Sequence, residues 1–277
     1  MPAFRTFALA AAAVAVQLAG TTAQSFSLSS QCQDTLAALV TSSETSCLNA
    51  QALVGLVASS SSSANTSLVS PINTWATGFC GKAVCSNDTL ANVVSNVTSG
   101  CSSDLESLGL SNIDSGELTS LVQTAYPTFR QVVCLADTNN SNALCLTETL
   151  NNLEPYTGQL TITNLESYAS TIMAGGSIPN IPSNVTCTDC VKAAYSLISQ
   201  SFGDLIPSGV SSNLSSTCGS SFVDGSQPST VTQLASNSGS STTVTPNGAA
   251  PSFSSAPVFG IVASSLLAVS SAFALLA

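Results

Sequence analysis

Cys80-Gly-Lys-Ala-Val-Cys85-Ser-Asn-Asp-Thr-Leu-Ala-Asn-Val-Val-Ser-Asn-Val-Thr-Ser-Gly-Cys101 decides how this chain folds. A close cysteine pair opens the stretch, and Asn87-Asp88 offers a polar helix start. Leu90, Val93, Val94 and Val97 then recur at helical spacing, so one face is apolar and leads to a closing cysteine. Similar stripes lie on both sides. Cys32, Leu36, Leu39 and Val40 follow Ser29-Ser30, which can cap a helix. Leu68, Ile72, Trp75 and Phe79 are spaced i, i+4, i+7 and i+11. Leu118, Leu121, Val122 and Ala125 predict a helix that stops at Tyr126-Pro127 and resumes through Val132-Val133. Thr163-x-x-Glu166 forms a capping box ahead of Leu165, Tyr168 and Ile172. Val191, Ala194, Tyr195, Ile198 and Phe202 complete the set. Leu160-Thr-Ile-Thr is the one short alternation. The body therefore reads as all-α.

The ten cysteines all lie between Cys32 and Cys218. Their order divides them into Cys32, Cys47, Cys80, Cys85, Cys101 and then Cys134, Cys145, Cys187, Cys190, Cys218. Each set runs as two cysteines, a long gap, a close pair, a helical stretch and a closing cysteine. This predicts two tandem helical modules, 24–117 and 118–225. Five cysteines cannot all pair within one module, so full oxidation requires at least one bridge between the two. By count, roughly 945 connectivities are open. Cys187-Thr-Asp-Cys190 has the spacing of a redox pair but no flanking βαβ pattern, which favours a structural role.

The even cysteine count agrees with what brackets the body. At the amino end, Ala8–Leu18 is a short apolar run behind Arg5, followed by Thr21-Thr22-Ala23; 1–23 reads as a secretory signal, too short to span a bilayer. At the other end, Val258–Ala277 is apolar, with no basic residue after it. A polar spacer, Ala250–Pro257, and the small residues Asn247-Gly248-Ala249 precede it. Small ω-site residues, a spacer and a terminal apolar tail are what a GPI transamidase reads. Asn247 is the expected anchored residue, with Gly248 or Ser238 as alternatives, and 248–277 would be removed. The alternative is a single-pass or tail-anchored segment. Between body and tail, 11 of the 22 residues in 226–247 are Ser or Thr and none is charged. That composition predicts a disordered, O-glycosylated stalk. Ser59–Ser63 reads as a loop of the same kind.

Past the signal, Lys82, Arg130 and Lys192 stand against 14 acidic residues. So few basic groups cannot neutralise a phosphate backbone, which argues against a nucleic-acid partner. Six N-x-Ser/Thr sequons, at Asn65, Asn87, Asn96, Asn139, Asn184 and Asn213, predict a glycosylated exterior. There is no histidine, so neither a Ser-His-Asp nor a Cys-His site can form, and no His-ligated metal. Asp114-Ser115-Gly116 matches the aspartic-protease tripeptide but lacks a second copy; with Glu117 it reads as a helix N-cap. Asp104 and Glu106 sit beside Ser103 as another helix start. The expectation is a protein with no catalytic, cofactor or metal site.

The signal, the Ser/Thr-rich helical body from Gln31 to about Val223, the ordered cysteines, the stalk and the tail together resemble an uncharacterised family of fungal secreted, GPI-anchored proteins. That resemblance implies the extracellular face of the plasma membrane or the cell wall, with wall polysaccharide or other surface proteins as partners. Cys80-x4-Cys85 and then Cys101, preceded by Cys32 and Cys47 and followed by Cys134, is also similar in spacing to elicitins, helical disulfide proteins that carry sterols. The second resemblance implies a sterol- or lipid-binding module. It further implies the bridges Cys32–Cys101 and Cys47–Cys85 and, through the internal repeat, Cys134–Cys218 and Cys145–Cys190. Cys80–Cys187 would then join the modules.

Overall fold

The computed structural model describes residues 29–52, 66–107, 114–161, 164, 181–206 and 208–236. Helix α1 spans Ser30–Thr41, and the Ser29 hydroxyl accepts the Cys32 N–H at 3.2 Å to cap it. A 3₁₀ turn, Ser43–Leu48, follows. Helices α2 (Val69–Gly81), α3 (Asn87–Gly100) and α4 (Ser102–Ser107) come next. The cap of α3 is Ser86, whose hydroxyl accepts the Thr89 N–H at 3.1 Å, so the helix begins at Asn87 as its polar start predicts. Helix α5 (Ser115–Val133) runs back along α3, with Gln123 Nε2 donating to the Asn87 carbonyl at 2.9 Å.

Helix α5 does not stop at Tyr126-Pro127. Pro127 is exposed, whereas Tyr126 and Thr128 on either side are buried. Tertiary contacts hold the turns on each side of the ring, and the missing N–H falls where water reaches the backbone. The Tyr126 hydroxyl accepts the Cys85 N–H at 3.1 Å, which locks α5 to the start of α3.

Beyond α5 the chain forms a feature that the short alternation at Leu160 did not foretell. Strands β1 (Leu135–Asp137), β2 (Ala143–Leu144) and, from far along the chain, β3 (Val231–Gln233) make a small antiparallel sheet in the order β2-β1-β3. Ala136 pairs with Leu144 on one side and Thr232 on the other. Leu160 is buried and its carbonyl accepts the Leu68 N–H at 2.9 Å, but it belongs to no strand. Helix α6 (Cys145–Thr157), the single turn α7 (Ser183–Thr186), α8 (Asp189–Phe202) and α9 (Ser208–Cys218) follow, with short 3₁₀ turns at Thr138–Asn140, Gly203–Leu205 and Ser220–Val223. Helix α8 buries Cys190, Val191, Ala193, Ala194, Tyr195 and Ile198 against α5, α6 and β1. Helix predominates throughout, stapled by five disulfides: an all-α fold with a minor sheet. Among the described residues, no helix is long and apolar enough to cross a membrane.

The bridges are Cys32–Cys101, Cys47–Cys85, Cys80–Cys134, Cys145–Cys190 and Cys187–Cys218. Cys32–Cys101 and Cys47–Cys85 are those implied by the elicitin spacing, and Cys145–Cys190 is one of the two implied through the internal repeat. The other two, Cys80–Cys187 and Cys134–Cys218, are corrected. Because α5 doubles back on α3, it delivers Cys134 to the end of α2, where Cys80 lies. Cys187 ends α7, which packs on α9 and so meets Cys218. One bridge, Cys80–Cys134, still joins the two cysteine sets. The expected module boundary at 117/118 falls in the first turn of α5. One core cluster draws Ala76, Phe79 and Leu90 from before it and Tyr126, Val133 and Leu144 from after it.

The stalk expected from Ser226 onward is corrected over its first part. Leu234 N–H donates to the Cys134 carbonyl at 2.9 Å and Ser236 N–H to the Cys80 carbonyl at 3.0 Å. With β3, this segment is a strap laid across the Cys80–Cys134 bridge. The expected signal, the serine loop, the capping box at Thr163, and everything past Ser236 including Asn247 lie outside the described residues.

Arg130 fastens this junction. It is buried (3% exposed), and its guanidinium donates to the carbonyls of Phe79 at 2.9 Å, of Cys80 and Ser236 at 3.4 Å each, and of Lys82. Its carbon lies 5.0 Å from the centre of the Phe79 ring. The carbonyl ends of α2 are the negative pole of that helix, so the charge is balanced by peptide dipoles. Arg130→Met keeps the aliphatic stem but leaves these buried carbonyls unpaired. We expect it to destabilise the oxidised body by roughly 2–4 kcal/mol, read from the urea denaturation midpoint.

Candidate functional site

Acidic side chains at helix starts are occupied with the backbone. Asp114 Oδ1 accepts the N–H groups of Gly116 and Glu117, each at 2.9 Å, at the head of α5. The tripeptide that matches an aspartic protease is therefore a helix cap, as its sequence setting predicts. Asp104, on α4, accepts the Ser29 N–H at 2.8 Å and the Ser29 hydroxyl at 2.6 Å. It ties α4 to the start of α1 and is turned to that task beside an exposed Glu106. Hydrogen bonds from Ser29, the hydroxyl foremost, hold its carboxyl below the ordinary value. Asp224 accepts from the Ser226 hydroxyl at 2.7 Å and N–H at 2.8 Å and pairs with Lys192 at 3.2 Å. The Ser226 bonds first, then Lys192, bring its pKa down to about 2.

Asp137, Glu148 and Cys190 bring ligand-type atoms within 4.8 Å of one another. The sulfur of Cys190 is bonded to Cys145, and an oxidised sulfur has no thiolate to give a metal. The two carboxylates also have work in the turn: Asp137 Oδ1 accepts the Asn139 N–H at 2.8 Å, and Glu148 accepts from the Asn140 amide at 3.1 Å. The trio is a structural corner. Cys187 and Cys190 are likewise bonded to different partners, Cys218 and Cys145, so the C-x-x-C spacing forms no redox pair here.

Two open grooves lie among the described residues. The larger, about 540 Å³, lies between α2 and the β2–α6 corner, with Asn73, Gly81, Ala143, Leu144 and Leu234 in its lining. The second, about 340 Å³, runs between α1 and α3, bounded by Thr35, Ala38, Leu39, Asn92, Val93 and Asn96. At one end of it the helices touch: a Cβ on Gly100 would lie 2.1 Å from Thr35 Oγ1, so only glycine permits this crossing. The rings around Phe79 pack on one another. Trp75 stacks on Phe79 at 5.2 Å, and Tyr126 meets Phe79 edge-on at 6.2 Å.

The sequons point the other way. Asn87, Asn96, Asn139, Asn184 and Asn213 are all exposed, and none of their side-chain amides has a hydrogen-bond partner among the described residues. Of the described asparagines that head no sequon, Asn49, Asn73, Asn140 and Asn164 use their side chains within the fold, whereas the exposed Asn92, Asn142, Asn151 and Asn152 do not. Asn65 lies outside the described residues. No family model, curated protein or solved structure matches this chain.

Sequence reasoning took Arg130 only as one of three basic residues and missed its junction. A signal existed: it sits four residues before Cys134 and faces inward with Tyr126 and Val133 on the same helix. Ser29 was legible as a cap but not as the partner of Asp104, since 75 residues separate them.

The depressed carboxyls set an acid limit. An ordinary aspartate titrates near 3.9. Stability from Asp104 and Asp224 is therefore complete above that pH and is lost as pH falls through the native values, about 2 for Asp224. In thermal melts, Asp224→Asn is expected to flatten part of the fall between about pH 4 and 2, less so in high salt.

Proposed function

We propose that the protein is a GPI-anchored extracellular glycoprotein of the fungal cell surface or wall, with a non-enzymatic structural or interaction role. The observation that carries this reading is the set of sequons: five exposed asparagines with unused amides, spread over a body whose ten cysteines are all paired. Full oxidation is typical of exported proteins. The signal-like 1–23 and the tail after Asn247 support export and anchoring from sequence. Glycans would supply the solubility that so few charged side chains cannot. Partners of this kind would be wall polysaccharide or neighbouring surface proteins.

A second reading, a sterol- or lipid-binding module, has one observation in its favour. The groove of about 540 Å³ lies within the size range of small-molecule sites and presents Ala143, Leu144 and a 41% exposed Leu234.

Treating intact cells with a phosphatidylinositol phospholipase should release the protein, and an endoglycosidase should lower the mass of the released chain. Retention on the cells, or a mature chain still ending in Leu275-Leu276-Ala277, would overturn the anchoring. Titration of the oxidised body with a fluorescent sterol separates the two readings: saturable binding favours the second, and its absence removes it.

A further inference from the structure

Asn96 is the one described sequon that lines either groove. We propose that the groove between α1 and α3 is an intramolecular receptor for sugar, and that the amino-sugar core of an N-linked glycan on Asn96 lies along it over Leu39 and Val93. This rests on the glycoprotein reading above.

Helical side chains lean toward the N-terminus of their own helix, so each covers the turn before it. The Asn96 amide therefore leans over Asn92 and Val93, along the groove and away from the end closed by Gly100 against Thr35. A sugar joined to that amide starts inside the groove. What it meets there suits a pyranose ring. Leu39 and Val93, both half-buried, offer an apolar surface to its C–H face. The Asn92 amide and the Glu44 carboxylate have no partner among the described residues and can bond hydroxyl and acetamido groups.

At about 340 Å³ the groove is at the small end of ligand sites and open to solvent, a poor trap for a free sugar. A covalent link changes that. Tethering raises the effective concentration of the ring to roughly millimolar or above, so weak contacts suffice. The expected consequence is that α1 is held to α3 by sugar across the open side of their crossing.

The test is hydrogen exchange on the glycosylated protein, read in peptides covering residues 30–42. Native protein is compared with Asn96→Gln and with Thr98→Ala. The latter removes the sequon, while the Thr98 hydroxyl bonds only to the Val94 and Ser95 carbonyls of its own helix. Asn139→Gln serves as control. Losing the Asn96 glycan should speed exchange in α1 roughly three- to tenfold, the factor set by about one net hydrogen bond of local stability. Trimming to the single core amino sugar should preserve the protection, and Asn139→Gln should leave α1 unchanged. An occupied Asn96 whose removal leaves α1 exchange as before would overturn the proposal. So would a bare Asn96 beside glycosylated neighbours. Absence of sugar at every sequon would overturn the glycoprotein reading itself, which keeps the two failures apart.

Discussion

A buried guanidinium with no carboxylate paired to it among the described residues is the constraint on which the rest of this structure depends. Arg130 draws its counter-charge from the carbonyl end of α2, a ring face and the strap at Ser236. Peptide carbonyls balance a cation only when several converge, so α2, α5 and the strap must all be in place together. The same three segments carry the Cys80–Cys134 bridge and the cluster around Phe79. Charge, covalent link and apolar core thus coincide at one point, and the sheet and the remaining helices are arranged around it.

Chains this poor in charge and aromatic residues have little with which to fill a large interior. Here the rings are concentrated: Trp75, Phe79, Tyr126 and Phe129 form one contiguous group at the Arg130 junction. A second buried cluster sets Tyr195 and Phe222 among the aliphatic Leu153, Val191 and Leu214. The disulfides add covalent links around these small clusters. Cys145–Cys190 fastens α8 to α6 and Cys187–Cys218 joins the end of α7 to α9, and each such link typically contributes roughly 2–4 kcal/mol by restricting the unfolded chain.

Much of the helical architecture is legible in residue order, because amphipathic stripes and polar caps are local. Ser29 and Asp114 cap where their neighbours predict, and the stripe from Val191 to Ile198 is the buried face of α8. What escapes is non-local. The partner of Cys80 depends on the path of α5, which no spacing encodes, and Pro127 reads as a break until its solvent exposure is known. Strands of two or three residues are too short for period-two alternation to register. Ser226–Ser236 was misread for a different reason: composition reports side-chain burial, whereas this segment is held by its own backbone N–H and C=O groups. Of the candidate surface, the sequons were plain in sequence. Their exposure, and the groove beside Asn96, required the fold.

The strap has a mechanical consequence. Leu234 and Ser236 hand their N–H groups to the carbonyls of Cys134 and Cys80, the two ends of one covalent bridge. Any pull on the chain beyond Ser236 therefore enters the molecule at the weld between its halves. The load is shared at once between α2 and α5 and does not peel a terminal helix. A fold loaded at this point resists being unravelled from that end.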